Sequence, residues 1–192
     1  MTATTGTVLF LCTGNICRSA FGQHQLARTL QDQVPGAYEV VSAGTHMNPR
    51  LRPPDQILAL ADGSVLQALQ THTPTQLQPR LAQQADLILC ATEDHVEAVL
   101  QETPAALNRT FTILEFAALA QLMAEQGTAV DGDLRAVART AARQRSRVRS
   151  RGQSLDLADP YGGPDWGFPV MAEQLNPAVE SIAGLLVRVA QS

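Results

Sequence analysis

The sequence predicts an α/β fold built on a mostly parallel sheet, and three observations carry that prediction. Short apolar runs such as Thr7 to Leu11 and Asp86 to Ala91 show no alternation, as expected of strands buried on both faces. Stretches with helical spacing separate these runs, so strands and helices alternate along the chain. The chain has 192 residues, 45% apolar and 17% charged, which is globular usage and enough for one domain with a substantial core.

The elements follow in order. Thr7 to Leu11 is the first, central strand, and Ser19 opens a helix with Ala20, Ala27 and Leu30 on its apolar side. Tyr38 to Ser42 is a second strand ending at Ala43-Gly44. Pro53-Pro54-Asp55 starts a helix towards Thr71, with Gly63 as its point of interruption. A short helix over Pro79 to Gln84 precedes the strand Asp86 to Ala91. Thr92-Glu93-Asp94-His95 then reads as an N-cap into a helix that covers Val96 to Gln101. Thr110 to Leu114 is a fourth strand, and Ala117 to Glu125 and Asp131 to Val148 are helical. Gly152 to Gly167 is a loop, and Val170 to Ala190 is a last helix with Leu175, Val179, Ile182, Leu185, Leu186 and Val189 on one side. In such a sheet, ligands bind outside the carboxyl ends of the strands, and Cys12 stands at that edge.

Composition narrows the function class. The longest apolar runs, such as Val8 to Leu11, are far too short to span a membrane. No basic residue precedes the apolar stretch at the N-terminus, so Met1 to Gly6 does not read as a signal peptide, and a cytoplasmic location is the expectation. Three cysteines, two of them five residues apart, argue for thiol chemistry over a disulfide framework. The net charge is −4, so the whole chain is no polyanion binder. There is no lysine, and seven of the 14 basic residues are arginines between Arg135 and Arg151.

The loop Cys12-Thr13-Gly14-Asn15-Ile16-Cys17-Arg18-Ser19 joins the first strand to the first helix. A strand–loop–helix turn offers a phosphate dianion a nest of backbone N–H groups and the positive end of a helix. Gly14 allows close backbone approach, Asn15 tolerates a left-handed conformation, and Arg18 presents a planar fork for two phosphate oxygens. The same donors stabilise a thiolate at Cys12, placed for in-line attack on phosphorus. Ser19 either donates to that sulfur or caps the helix. Taken alone, Cys12 also suits a small buried residue at a strand end.

A second loop, Asp159-Pro160-Tyr161-Gly162-Gly163, begins with an acid. Asp-Pro is an ordinary turn signal. Beside a phosphate site, however, a carboxylic acid can protonate the departing oxygen and then act as base for the incoming water.

Together the two loops resemble the low-molecular-weight protein-tyrosine phosphatase family. The likeness continues through Val41 to Thr45, Pro53-Pro54-Asp55, His72 to Leu77, Ala85 to Cys90 and Glu93-Asp94-His95, and covers about residues 7–116 and 155–190. It implies a four-stranded parallel sheet between layers of helices, metal-free hydrolysis of phosphotyrosine and a cysteinyl-phosphate intermediate. Cys12 would be the nucleophile, Arg18 the phosphate clamp and Asp159 the general acid and base. Thr13, Gly14, Asn15, Ile16, Cys17 and Ser19 would cradle the phosphate, with Tyr161 beside them. The resemblance also implies that Asn15, Ser19, Ser42 and His72 brace the loop, and that Cys17 either protects the nucleophile as a disulfide partner or packs as a small residue. No cofactor is implied, and the histidines have no metal-ligand spacing with the cysteines. The expected partner is a phosphorylated protein or a small phosphomonoester.

Two departures qualify this. The segment His46 to Arg52 lacks the aromatic wall of many tyrosine-specific members, leaving Tyr161, Trp166 or Phe168 to supply one. The connection from Phe116 to Asp156 is about forty residues long and ends in alternating arginines. The arginine-rich helical insertion at about 117–154, within a single domain 1–192, reads most simply as a solvated, partly disordered surface segment. Alternating arginines can also attract an anionic partner. The lack of interleaved aromatic residues argues against nucleic acid. Two rivals remain. An arsenate reductase on the same fold would use Cys12 and two further thiols near the third strand, where only Cys90 is present, which leaves a relay through Cys17 or a small-thiol-coupled reduction. A non-catalytic phosphoprotein-binding module would have no need of Asp159.

Overall fold

A computed structural model describes residues 6–129, 132–150, 152 and 154–192. The first strand, β1 (Gly6–Cys12), leads into helix α1 (Arg18–Gln33) and strand β2 (Tyr38–Gly44). Helices α2 (Asp55–Leu58), α3 (Gly63–Thr71) and α4 (Pro79–Gln84) precede β3 (Leu87–Cys90) and α5 (Glu93–Glu102). A 3₁₀ turn (Pro104–Arg109) enters β4 (Thr110–Thr112), and α6 (Ile113–Glu125), α7 (Leu134–Ala142), α8 (Arg145–Arg149) and α9 (Gly167–Gln191) complete the chain. The four strands are all parallel in the order β2-β1-β3-β4.

Every residue from Val8 to Cys12 is buried, which is why the run is apolar without alternation. Val8 and Phe10 face the core shared with α1, α3, α6 and α9, while Leu9 and Leu11 face α4 and α5. The chain leaves β1 for β2 on one side and crosses back to β3 on the other. The end of β1 is therefore the switch point at which an open α/β sheet leaves a crevice.

The expected elements are present with shifted limits. The stretch after Pro54 divides into α2 and α3, with Gly63 opening the second at φ 49°. Leu26, not Ala27, reaches the core from α1. The fourth strand ends at Thr112 instead of Leu114, because the Thr112 hydroxyl accepts the Glu115 N–H (3.1 Å) and starts α6 there. The Thr-x-x-Glu spacing of residues 112–115 was the available signal. The helix expected over Asp131 to Val148 starts at Leu134 under an Asp133 cap and breaks at 143–144 into α7 and α8; residues 130 and 131 lie outside the described residues. The last helix begins at Gly167, and all six residues of its expected apolar side are buried.

The arginine-rich stretch is not the solvated segment expected, although Arg151 lies outside the described residues. Leu134, Val137, Ala138, Ala141 and Val148 join the main core. Glu115 is fully buried, and its Oε1 lies 2.7 Å from Arg149 Nε and 3.1 Å from Arg145 Nε. Arg145 stacks over Phe111 at 4.4 Å and donates to the Thr110 carbonyl (2.7 Å). These arginines hold α8 onto α6 and the start of β4.

Candidate active site

The site is built from the end of β1 outward. Cys12 is 2% exposed, and its Sγ faces Ser19 Oγ at 2.9 Å and the Asn15 N–H at 3.3 Å. The loop then turns sharply at Asn15, with φ 54°, the left-handed geometry expected of this residue type. Gly44 at the end of β2 lies directly beneath. A Cβ there would stand 2.5 Å from the Thr13 carbonyl oxygen, so only glycine lets strand and loop approach this closely.

Asn15 is the hub of the bracing. Its amide donates to Ser19 Oγ (3.0 Å) and Ser42 Oγ (2.7 Å), and its Oδ1 accepts the Thr75 N–H (2.8 Å). Ser42 donates in turn to Gln23 Oε1 (2.5 Å). His72 Nε2 lies 2.9 Å from the Asn15 carbonyl, which can only accept, so His72 donates there and its Nδ1 is bare. His24 Nε2, at 3.1 Å, must then donate to His72 Nδ1. Ser42 and His72 thus both contact Asn15. Gln23, His24 and Thr75 were missed, since contacts made from such distant positions carry no local pattern.

Arg18 is almost wholly buried. It donates from Nη2 to Asp159 Oδ2 (2.6 Å) and from Nη1 to the Leu157 carbonyl (3.5 Å), while its Nε has no partner. Asp159 is held there by its flanks: Leu157 is buried and donates its N–H to the Ala91 carbonyl (2.8 Å), and the Asp156 carboxylate accepts the Glu93 N–H (2.8 Å) at the start of α5. That placement suits an anion at a helix N-terminus. Asp159 Oδ1 also accepts the Tyr161 N–H (3.2 Å).

The opening above Cys12 is a slot of about 180 Å³. Ile16, Leu51 and Tyr161 give it apolar walls, and Asp159 is its one lining carboxylate among the described residues. Tyr161 is the only Phe, Tyr or Trp there among the described residues; Trp166 is exposed outside the slot, and Phe168 is buried in the core. Burial pushes the Cys17 thiol up to about 12, with the neighbouring Cys12 adding to the effect. Cys90 is sealed in β3, and burial raises its thiol as well.

His95, in the first turn of α5, was also missed as a site residue. It sits between Thr92 Oγ1 (2.6 Å, Nδ1) and Thr13 Oγ1 (3.0 Å, Nε2), tying α5 to the residue after Cys12. Burial lowers His95 to about 4, and Arg18 acts in the same direction. Burial likewise takes His24 to about 4, with His72 contributing, and it lowers His72 too. An unfolded histidine titrates near 6.5, so below that pH the unfolded chain binds more protons than the folded one. Stability should be fully present above pH 6.5 and be lost as pH falls towards 4, with His24 and His95 together contributing at least about 2 kcal/mol between pH 7 and pH 5 after their partial exposure is discounted. Urea unfolding at the two pH values measures this, and equal midpoints would rule it out.

A family model described as low molecular weight phosphotyrosine protein phosphatase matches residues 7–126. The low molecular weight protein-tyrosine-phosphatase Etp of Escherichia coli (strain K12) is 33% identical over 103 residues, 54% of this chain. The match spans 66% of that relative, just under two thirds of its length. The protein-arginine-phosphatase of Geobacillus stearothermophilus is 26% identical over 176 residues, 92% of this chain and 93% of the relative. Two solved structures share the fold. The YwlE arginine phosphatase of Geobacillus stearothermophilus has a TM-score of 0.64 at 22% identity, covering 93% of this chain and 91% of that one. The tyrosine phosphatase Wzb from Escherichia coli K30, in complex with phosphate, has a TM-score of 0.62 at 22% identity, covering 93% and 96%.

Proposed function

The chain belongs to the low molecular weight phosphotyrosine protein phosphatase family, and from that premise we propose that it hydrolyses phosphomonoesters on proteins, phosphotyrosine foremost, through a cysteinyl-phosphate intermediate. The observation that carries the reading is the convergence, at one slot, of Cys12, whose sulfur accepts the Asn15 N–H and touches the Ser19 hydroxyl, and of a buried Arg18 paired with Asp159. The proposed catalytic unit is a single domain spanning the chain.

The chemistry follows from those positions. The substrate phosphate settles on the loop N–H groups and takes the Arg18 fork, including the unpartnered Nε, from Asp159. The Cys12 thiolate forms an S–P bond as the P–O bond to the substrate breaks, and Asp159, carrying a proton, gives it to the departing oxygen. Asp159 then takes a proton from water as that water attacks phosphorus. The S–P bond breaks, inorganic phosphate leaves, and Ser19 and the Asn15 N–H stabilise the returning thiolate.

Apolar walls from Ile16, Leu51 and Tyr161 favour an aryl ester. The match over 92% of the chain to a protein-arginine-phosphatase supports a second reading, phosphoarginine, whose N–H donors would find Asp159 as the one carboxylate lining the slot. An arsenate reductase relay fits less well, because Cys17 is held protonated and Cys90 is sealed in the sheet.

The test compares phosphotyrosyl peptide, phosphoarginyl peptide and p-nitrophenyl phosphate. We expect the aryl esters to be preferred. Asp159→Asn should lower kcat by about 10²–10³ while KM stays within about threefold. Thiol-dependent arsenate reduction without hydrolysis of any of the three would sink the proposal.

A further inference from the structure

Two further cavities of about 400 and 430 Å³ adjoin the catalytic slot. The slot and the first share Thr13, Arg18, His46 and Asp159; the first and the second share Thr45, His46 and Ala98. These shared residues set the three side by side from Cys12, past the segment after β2 and helix α5, to Glu102 and Thr103, a row called the trench below. Only its first part is needed for phosphate chemistry.

Both walls are built firmly. On one side Gly44 pairs with Gln76 as a parallel bridge, and the Gln76 side chain donates to the Thr45 carbonyl (2.7 Å) and accepts the Met47 N–H (3.1 Å). On the other side is α5, anchored by its Thr92 cap and by the Asp156 carboxylate at its first turn.

The charge in the trench is one-sided. Arg18 is its only lining arginine among the described residues; it is buried and committed to the phosphate and Asp159. Beyond it the lining charges are Asp94 and Glu102, both exposed and neither in an ion pair among the described residues. Arg80, on α4, does not line it. Helix α5 carries Glu93, Asp94, Glu97 and Glu102 and no Lys or Arg.

We propose that this trench seats the polypeptide flanking the phosphorylated residue and selects substrates with Arg or Lys beside that residue. The proposal rests on the phosphatase reading, since the phosphate in the Cys12 loop sets the register of the chain that follows. Asp94 and Glu102 act as specificity residues: each meets a cationic side chain, and an acidic flank meets like charge. Exposed pairs of this kind are individually weak and screened by salt, so the two together should be worth about a fivefold preference at low ionic strength.

The experiment uses two phosphotyrosyl peptides identical except that arginine or glutamate flanks the phosphotyrosine on both sides. Wild-type protein should show kcat/KM about fivefold higher for the arginine peptide in dilute buffer, with the ratio shrinking as salt is added. In an Asp94→Lys, Glu102→Lys double variant the preference should vanish or reverse. Glu102→Lys alone should weaken the preference and leave p-nitrophenyl phosphate turnover unchanged, because that substrate ends at the slot. Equal or acid-favouring ratios in the wild type, or a ratio untouched by the charge reversal, overturn the proposal. Absence of p-nitrophenyl phosphate hydrolysis would be a failure of the phosphatase reading instead. Affinities of the same peptides then decide the trench: tighter binding of the arginine peptide supports it, and equal or absent binding rejects it.

Discussion

Cys12→Ser is expected to cut p-nitrophenyl phosphate turnover by at least about 10⁴-fold with little change in the melting temperature. Serine is close in shape to cysteine and can accept from the same Asn15 N–H and Ser19 hydroxyl, so the loop should keep its form. What is lost is the proposed nucleophile, because an alcohol is a far weaker nucleophile towards phosphorus than a thiol in the same place. The variant should still bind inorganic phosphate, because Arg18 and the loop amides remain. Calorimetric titration with phosphate, beside the activity assay, separates loss of chemistry from loss of the site. Residual turnover above about a tenth of wild type would mean that Cys12 is not the attacking group.

The largest effect on stability should come from removing Arg145 and Arg149 together. Glu115 is fully buried, its Oε1 is served by both guanidinium groups, and its Oε2 has no partner. Arg145 reaches Oε1 at ion-pair distance without hydrogen-bond alignment, so Arg149, which donates at 2.7 Å, is the stronger partner. Taking both away leaves an uncompensated carboxylate in the core, which costs about 3–5 kcal/mol. In a chain of this size that lowers Tm by about 10 °C. Adding Glu115→Gln to the double alanine variant should recover part of the loss, because a neutral amide is far cheaper to bury than a charge. A double variant that melts within about 2 °C of wild type would show that Glu115 finds other compensation.

The two results would probe different layers of the molecule. The proposed nucleophile lies on a loop whose identity is written in eight consecutive residues. The Glu115 cluster joins residues 30 and 34 positions apart, and no motif announces it. Alternating arginines suggested a solvated face, whereas two of the four from Arg143 to Arg149 turn inward to a buried acid. That choice depended on Glu115, the third residue of α6, pointing into the core.

The sequence alone determined the features that rest on local chemistry. Unalternating apolar runs mark buried parallel strands because both faces are covered. The Cys12 to Ser19 turn marks a phosphate-binding loop after the first strand because a strand–loop–helix turn needs those residue types to expose its amides, while the role proposed for Asp159 rests on the resemblance. The tertiary structure alone decided what those features meet. It set the neutral His24–His72 relay onto the Asn15 carbonyl, the His95 bridge to Thr13 and the Asp156 cap that aims Asp159 at Arg18. It also made Tyr161 the one Phe, Tyr or Trp in the slot wall among the described residues, with Phe168 withdrawn into the core. The physical reason is one of range. Backbone propensities, caps and turns act over a few residues and leave a local pattern, while hydrogen bonds and ion pairs between distant segments are fixed only when packing brings those segments together.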